Sequence, residues 1–135
     1  MKTAVARRNA MLDNLCGNLN SGYIDLMSGT KATNADTAIG AQVVLATCTF
    51  GSTAFGAANA GSATANSITG GTGTASAGAG TTCTWARLYK SVHTTAVCDI
   101  TVSTSAAELN LNTTTIVQNV AVSITSCVLS APDGT

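Results

Sequence analysis

The sequence predicts a mainly β protein, an antiparallel β-sandwich of the jelly-roll type with one N-terminal α-helix. The chain has 135 residues, a length typical of one domain. Its apolar residues follow a helical period up to about residue 20 and then alternate with polar residues, which indicates a helix followed by half-buried strands. Clusters of Gly, Asn, Ser and Thr separate the alternating runs, as in antiparallel sheets. We expect a single domain over 1–135, with a helix in 3–20, a sandwich in 23–130 and a long glycine-rich loop in 69–82.

The predicted helix, Thr3 to Asn20, carries one apolar stripe. Its members recur at the helical period and are Val5, Leu12, Leu15, Cys16 and Leu19. Thr3 is a suitable N-cap because its hydroxyl can accept a bond from a free backbone N–H. Gly22 stands where a left-handed residue would end the helix. Gly17 weakens the last turn by about 1 kcal/mol relative to Ala, so we expect an early end.

After the helix, the apolar period changes to two. Five runs are predicted strands: Tyr23–Gly29, Gln42–Phe50, Thr82–Lys90, Ala96–Ser103 and Asn119–Ser130. A weaker strand is predicted for Ser62–Ile68. Ser91–Thr95 is predicted to be the turn of a hairpin between the third and fourth strong runs. Pro132 follows the last strand, where the ladder no longer needs its N–H.

Charged residues are scarce and unevenly distributed. They make up 9% of the chain, against about 25% in an ordinary soluble domain, and six basic residues balance six acidic ones. No charged residue occurs in 37–86 or in 109–132. Hydroxyls and amides could solvate such a surface, but we favour a surface covered by partners in an assembly. The lack of a basic patch argues against nucleic acid as a partner, and the lack of a long apolar run argues against a membrane span.

The stretch from Ser67 to Trp85 contains five glycines and no charge. A phosphate-binding loop is not favoured, because no helix is predicted after it and neither glycine fingerprint is complete. A linker is also not favoured, because the flanking parts lack separate cores. A long loop remains, either exposed and mobile or ordered against a partner. The candidate partner-contact residues are two arginines of the helix and these glycines: Arg7, Arg8, Gly70, Gly71, Gly73, Gly78 and Gly80.

Little in the sequence points to catalysis, and no catalytic, cofactor-binding or metal-binding residue is predicted. The single histidine, His93, lies in the predicted hairpin turn and is expected to be an exposed bystander, although Asp99 on the same hairpin could orient it. The carboxylates are scattered without a metal-ligand spacing. Trp85 and Tyr89 share one strand face, where core packing is favoured over a carbohydrate-stacking platform.

The chain has five cysteines: Cys16, Cys48, Cys83, Cys98 and Cys127. An odd number cannot pair completely within one chain, and no two have the spacing of a zinc or redox motif. The residues after Arg7 and Arg8 lack the apolar core of a signal peptide. Free thiols are therefore expected, and those within strand-like runs are expected to act as small buried hydrophobes. A role in redox chemistry or in a disulfide between subunits is left open.

Several blocks in order resemble a family of small β-rich structural proteins of tailed bacteriophages. They are RRNAMLDNL, GYIDLMSGTKATNADTAI, VVLATCTFGSTAFGAANAGSATANSIT, TWARLYKS and AELNLNTTTIVQNVAVSIT. The resemblance extends from about Arg7 to Leu129. Two features depart from it: the turn GTKATNAD lacks the proline often found there, and the cysteine count is high.

The resemblance implies a non-enzymatic virion protein, most simply a capsid cement or decoration protein that binds and stabilises the shell of the major capsid protein. It implies a location on the capsid exterior after synthesis in the cytoplasm of the host bacterium, and a homo-oligomer, either a dimer or a trimer. The alternatives are a tail, neck or head-fibre component, including a receptor- or glycan-binding module. A small hydrolase or lectin is the least favoured class.

Overall fold

The computed structural model describes residues 1–133. One α-helix, α1 (Val5–Gly17), precedes ten strands, and a short 3₁₀ helix (Ala75–Ala77) lies between the fourth and the fifth. The strands are β1 (Tyr23–Met27), β2 (Val44–Phe50), β3 (Ser62–Thr64), β4 (Ile68–Thr69), β5 (Thr81–Thr82), β6 (Trp85–Tyr89), β7 (Ala96–Ser103), β8 (Leu109–Leu111), β9 (Thr115–Ile116) and β10 (Ile124–Ser130).

Eight of these strands form one curled sheet in the order β3-β10-β8-β7-β6-β1-β2-β4, and β5 pairs with β9 in a second sheet of two strands. All neighbours are antiparallel except β7 and β8. The two edge strands of the eight-stranded sheet, β3 and β4, are separated in sequence by residues 65–67 alone. A connection this short holds the two ends of the sheet close together, so the sheet curls almost into a closed layer.

The core lies inside this curl and beneath the helix. The helix contributes Leu12, Cys16 and nearby Leu19, all buried. The inward faces of the central strands contribute further apolar side chains that are almost fully covered: Ile24, Leu26, Ala46, Cys48, Ala86, Leu88 and Ile100. The alternation predicted from the sequence is therefore real, because these residues recur at every second position of their strands.

The structure confirms the predicted fold class, mainly β with one N-terminal helix. It also confirms the early end of the helix at Gly17 and the hairpin turn over Ser91–Thr95, where the N–H of Lys90 bonds the C=O of Thr95. The predicted strand Ala96–Ser103 has the observed bounds of β7. The weak strand over Ser62–Ile68 is divided into β3 and β4 because the chain changes its partner from β10 to β2.

Several details of the prediction are wrong. Thr3 is not the N-cap, since Ala4 holds that position and no side chain caps the helix; the N–H of Thr3 bonds the C=O of Asp133. The left-handed residue after the helix is Ser21, not Gly22. Gly22 serves a different purpose, because a Cβ there would lie 2.2 Å from the Tyr89 carbonyl oxygen. Val5 is 47% exposed and so is not part of the core.

Four predicted strands are shorter than expected. The run Tyr23–Gly29 ends at Met27, and the run Gln42–Phe50 begins at Val44. The run Thr82–Lys90 is interrupted after Thr82, and the run Asn119–Ser130 forms a strand only from Ile124. Within residues 1–133, no helix is long and apolar enough to cross a membrane.

Candidate functional site

The charged side chains that the fold buries, Asp25, Arg87 and Asp99, lie together on one face of the large sheet. Strand register sets Asp25 opposite Arg87 and Arg87 opposite Asp99 across β1, β6 and β7. Because side chains alternate along a strand, this face is the one opposite to the core-facing Ile24 and Leu88. We call the following group the polar cluster: Tyr23, Asp25, Arg87, Tyr89, His93 and Asp99.

His93 lies at the solvent-exposed side of the polar cluster and contacts three of its members. Its Nε2 lies 2.9 Å from Oδ1 of Asp25, whose side chain is 8% exposed. The imidazole stacks on the Tyr23 ring, with centroids 4.3 Å apart, and meets the Tyr89 ring edge-on. The hydroxyl of Thr47 donates a second bond to the same Asp25 oxygen. His93 is exposed, as expected, with 39% of its side chain accessible, but it is not isolated, because hydrogen bonding and ring contacts fold the turn onto the sheet.

Arg87 forms the second half of the polar cluster. Its guanidinium donates to both carboxylate oxygens of Asp99, at 2.7 and 2.9 Å, and both side chains are 4% exposed. It also donates to the carbonyls of Asn34 and Thr37, which fixes the loop between β1 and β2 over the sheet. The Asp99 hydrogen bonds raise the pKa of Arg87, so the guanidinium remains charged. Asp99 is thus the partner of Arg87 and not of His93.

The two aromatic residues of β6 have different environments. Trp85 is 1% exposed, its indole N–H donates to the Ser28 carbonyl, and the Arg87 guanidinium lies over its ring. It is a core residue, as favoured from the sequence, and cannot act as a stacking platform. Tyr89 is half-buried, and burial is the main cause that raises the pKa of its hydroxyl.

An open cleft of about 430 Å³ lies beside the polar cluster, between the loop of residues 35–39 and the hairpin. Arg87 and Tyr89 reach its wall, but the Arg87 guanidinium already has four hydrogen bonds to protein oxygens. The arrangement therefore holds a loop in place. The His93–Asp25 pair has Thr47 as its hydroxyl neighbour, and that hydroxyl is turned to the carboxylate and not to the imidazole. Within residues 1–133, no three His, Cys, Asp or Glu side chains are arranged to ligate a metal ion.

The glycine-rich segment is part of the fold. A Cβ at Gly70 would lie 2.0 Å from the Val122 carbonyl oxygen, one at Gly71 would lie 2.0 Å from that of Thr47, and one at Gly73 would lie 2.0 Å from that of Val117. Only glycine permits such backbone contact. These three glycines therefore have a reason within the chain itself, which neither alternative for the loop, exposed and mobile or ordered against a partner, anticipated. Their contact with a partner stays a prediction.

Two further glycines of this segment, Gly78 and Gly80, have positive φ angles of 56° and 148°. They turn the chain after the 3₁₀ helix, and the carbonyl of Gly78 accepts a bond from the N–H of Gln118. A partner contact at these two positions is also still a prediction.

The two uncharged stretches of the sequence come together in the structure. Residues 70–82 run beside residues 115–122, joined by the β5–β9 pair, by bridges at Thr72 and Gly73, and by the bond from the Val122 N–H to the Gly71 carbonyl. The surface side chains of this pair are Thr, Ser, Ala, Asn and Gln, with Val120 53% exposed. We call residues 70–82 and 115–122 the charge-free face.

The two candidate arginines of the helix have different roles. Arg8 points inward: its Nη1 is 3.4 Å from the Ala131 carbonyl oxygen, and it packs on Gly61. Arg7 is exposed and lies with Met11, which is 63% exposed, along the outer side of the helix. Arg7 is thus available to a partner, whereas Arg8 fastens the helix to the end of the chain.

All five cysteines are free, and four of them are buried. Burial raises the pKa of Cys16 and Cys83 to about 11 and that of Cys98 and Cys127 to about 12, and it also raises the pKa of Cys48. Thiols with such values are protonated near neutral pH and therefore react slowly. The packing role predicted for Cys48, Cys98 and Cys127 is confirmed for Cys48 and Cys127, whereas Cys98 is half-buried.

No protein-family model, no curated protein and no solved structure matches this chain. The two surfaces described above are therefore the basis for inferring a function. The polar cluster is internally satisfied, and the charge-free face is open to solvent.

Sequence reasoning missed Asp25 as the partner of His93. The available signal was an acidic residue inside the apolar run YIDLM, at a position that the β1 pattern buries. A buried carboxylate requires hydrogen-bond partners, and the chain has only one histidine. The pairing itself could not be read, because 68 positions separate the two residues.

Proposed function

We propose that the protein is a non-enzymatic structural subunit of a tailed-bacteriophage particle, a capsid decoration protein that stabilises the shell of the major capsid protein. The observation that carries this proposal is the charge-free face. Two stretches without a charged residue, 37–86 and 109–132, supply the strands that meet there. Their convergence gives a broad neutral surface on one side of the molecule.

Such a face suits a protein whose surface is permanently covered by a partner in an assembly. The centre of a protein interface is depleted in charged residues, and a neutral face does not repel a second copy of itself. Its hydroxyl and amide side chains still provide hydrogen bonds to a partner. The rigid packing of Gly71 and Gly73 against neighbouring backbone keeps the face in one shape, so little entropy is lost when a partner binds.

Four charged side chains that make contacts within the fold support the same proposal. Asp25, Arg87 and Asp99 are used inside the fold, and Arg8 is tied to Ala131. A non-catalytic role agrees with the satisfied state of Asp25, Arg87 and Asp99, since an active site keeps reactive groups open to substrate. As a dimer or trimer, several copies of the face would bind neighbouring shell subunits at once, and the linkage would raise the total affinity.

The first test is composition. Quantitative mass spectrometry of purified phage particles should find the protein in a copy number comparable to that of the major capsid protein. A few copies per particle would contradict a decoration role and would indicate a tail, neck or head-fibre component. Absence from the particle would reject the virion role altogether.

The second test is binding to shells that lack the protein. Gln118→Glu places a charge on the charge-free face and should weaken binding at least about tenfold, because the carboxylate must lose water in the interface. Ser105→Glu places the same charge on the exposed loop between β7 and β8 and is the matched control. Equal binding of the two variants would show that another surface contacts the shell. Binding of the unchanged protein should vary little with salt, since no ion pairs form there.

A further inference from the structure

The two ends of the curled sheet lie side by side where residues 65–71 run beside residues 122–127. We call this line the seam, and one stretch of it has no backbone hydrogen bonds across it. The seam is closed at one end by the bond from the Ala65 N–H to the Cys127 carbonyl and at the other by the bond from the Val122 N–H to the Gly71 carbonyl. Between these bonds, no backbone hydrogen bond is found across the seam in the described part of the chain. A cleft of about 330 Å³, the seam cleft, lies there between residues 65–68 and 124–127.

One wall of the seam cleft presents unpaired backbone groups at Ile68. This residue stands opposite Phe50 in the β2–β4 pair, and the Phe50 N–H donates to Gly22 on the other side of β2. In an antiparallel pair, two opposite residues either bond each other or both point away. The N–H and C=O of Ile68 therefore point away from β2, into the cleft. Strand β4 is the edge of the sheet, so no further strand covers them.

The opposite wall has a similar gap at Thr125. The pairing of β10 with β8 shifts between Ile124 and Ser126, so Thr125 is the extra residue of a bulge and stands outside the ladder. Its hydroxyl bonds the Asn110 carbonyl on β8, and the Ser126 hydroxyl also accepts a bond from Asn110. As the extra residue of the bulge, Thr125 leaves main-chain groups of β10 without a ladder partner at the wall of the cleft.

The side chains around the seam cleft indicate what it accepts. The exposed rim consists of Asn66, Ser67, Thr125 and Ser126, and the half-buried isoleucines Ile68 and Ile124 lie on its walls. None of the lining residues is charged, so a charged segment would lose water without gaining a partner. The volume is at the lower end of the range for ligand sites, which favours small side chains.

We propose that the seam cleft binds a short, extended, uncharged peptide segment of a partner subunit by strand addition. The inserted segment would pair with β4 through Ile68 and with β10 through Thr125, and it would bridge the open stretch of the seam. Main-chain bonds give such sites their affinity, and the neutral, narrow walls give them selectivity. The source of the segment in the shell rests on the proposed function, whereas the cleft and its ligand chemistry do not.

The test is a titration of the ¹⁵N-labelled full chain with the capped peptide acetyl-Ser-Ala-Thr-Ala-Ser-amide, followed by NMR. We expect saturable shifts of backbone amides confined to residues 65–70 and 122–127. The same peptide carrying an N-methyl group on its central residue cannot donate there and should bind at least about tenfold more weakly. A peptide with Glu at its centre should also bind more weakly.

A pair of protein variants completes the test. Ser67→Glu places a charge on the rim and should raise the Kd for the neutral peptide several-fold, whereas the control Ser105→Glu should leave it unchanged. Absence of shifts at millimolar peptide, or shifts located elsewhere, would overturn the inference. Concentration-dependent shifts at the seam without peptide would also overturn it, because a second copy would then be the occupant. Peptide binding by a protein that does not bind shells would retain the cleft and reject only the proposed function.

Discussion

The polar cluster and the charge-free face are two surfaces of one small domain that are held together in different ways. In the polar cluster, long side chains make the contacts: Arg87 bonds Asp99 and two loop carbonyls, and His93 bonds Asp25. On the charge-free face, backbone meets backbone directly at Gly71 and Gly73. The difference shows that the scarce charges of this chain stabilise loops, while the charge-free face is built from main chain and small residues.

The largest effect is expected from breaking the buried ion pair. Asp99→Ala leaves the Arg87 guanidinium buried without a counter-charge and should lower the free energy of unfolding by about 3–5 kcal/mol. Urea unfolding followed by circular dichroism measures this. The control Asp36→Ala removes an exposed carboxylate and should change stability by less than about 0.5 kcal/mol. Similar losses in both variants would contradict the importance of the buried pair.

The second-largest loss of stability is expected from a change on the charge-free face. Gly71→Ala brings a Cβ to within 2.0 Å of the Thr47 carbonyl oxygen, so the backbone must move, and we expect a loss of about 3 kcal/mol. Gly17→Ala is the matched control, because no atom lies within 4 Å of a Cβ there and alanine favours the helix; it should leave stability unchanged or raise it by about 0.5–1 kcal/mol. If Gly71→Ala were tolerated as well as its control, the segment would be loosely packed after all.

Removal of the histidine tests the exposed end of the polar cluster. His93→Ala leaves the buried Asp25 carboxylate with one hydrogen bond fewer and removes two ring contacts, and we expect a loss of about 2 kcal/mol. Val92→Ala alters the same turn at a side chain that is 62% exposed, and it should have little effect. Equal stabilities in thermal unfolding would mean that the turn does not depend on the imidazole.

The smallest effect concerns the core that both surfaces share. Burial raises the pKa of Cys127 from 9.0 to about 12. The unfolded chain therefore loses this proton at lower pH than the folded chain, so stability is complete below about pH 9 and falls as pH rises toward 12. At pH 10 the loss from this thiol is about 1.4 kcal/mol. Unfolding measured from pH 8 to pH 10 should show a shallower decline for Cys127→Ala than for the unchanged chain, and parallel curves would contradict the raised pKa.

The sequence predicted the parts of the fold that depend on neighbours along the chain. Periodicity located the helix and the central strands, and the weak last turn at Gly17 was correctly anticipated. Prediction from the sequence was incomplete where segments that are distant along the chain pack against each other. The glycines at 70, 71 and 73 left open whether the loop is mobile or ordered against a partner, because the backbone of Thr47, Val117 and Val122 that excludes a Cβ there is distant in sequence.

The same limit applies to the candidate site. The uncharged runs were visible, but their meeting on one face follows from strand pairing that no local pattern encodes. Of the two arginines proposed for partner contact, the sequence could not show that Arg8 is turned inward to Ala131, since neighbouring helix positions differ only by their angle to the core.

The short connection between β3 and β4 has a consequence for synthesis. Among the strands of residues 1–133, the partner of β3 is β10, which the ribosome makes some sixty residues later. A nascent chain that ends before Ile124 therefore holds the first half of its sheet with one margin bare. Strands whose partner is distant in sequence form slowly and are prone to wrong pairing. Until β10 has been synthesised, nascent chains can therefore pair with one another through this unpaired strand, and the synthesis of β10 ends that risk of aggregation.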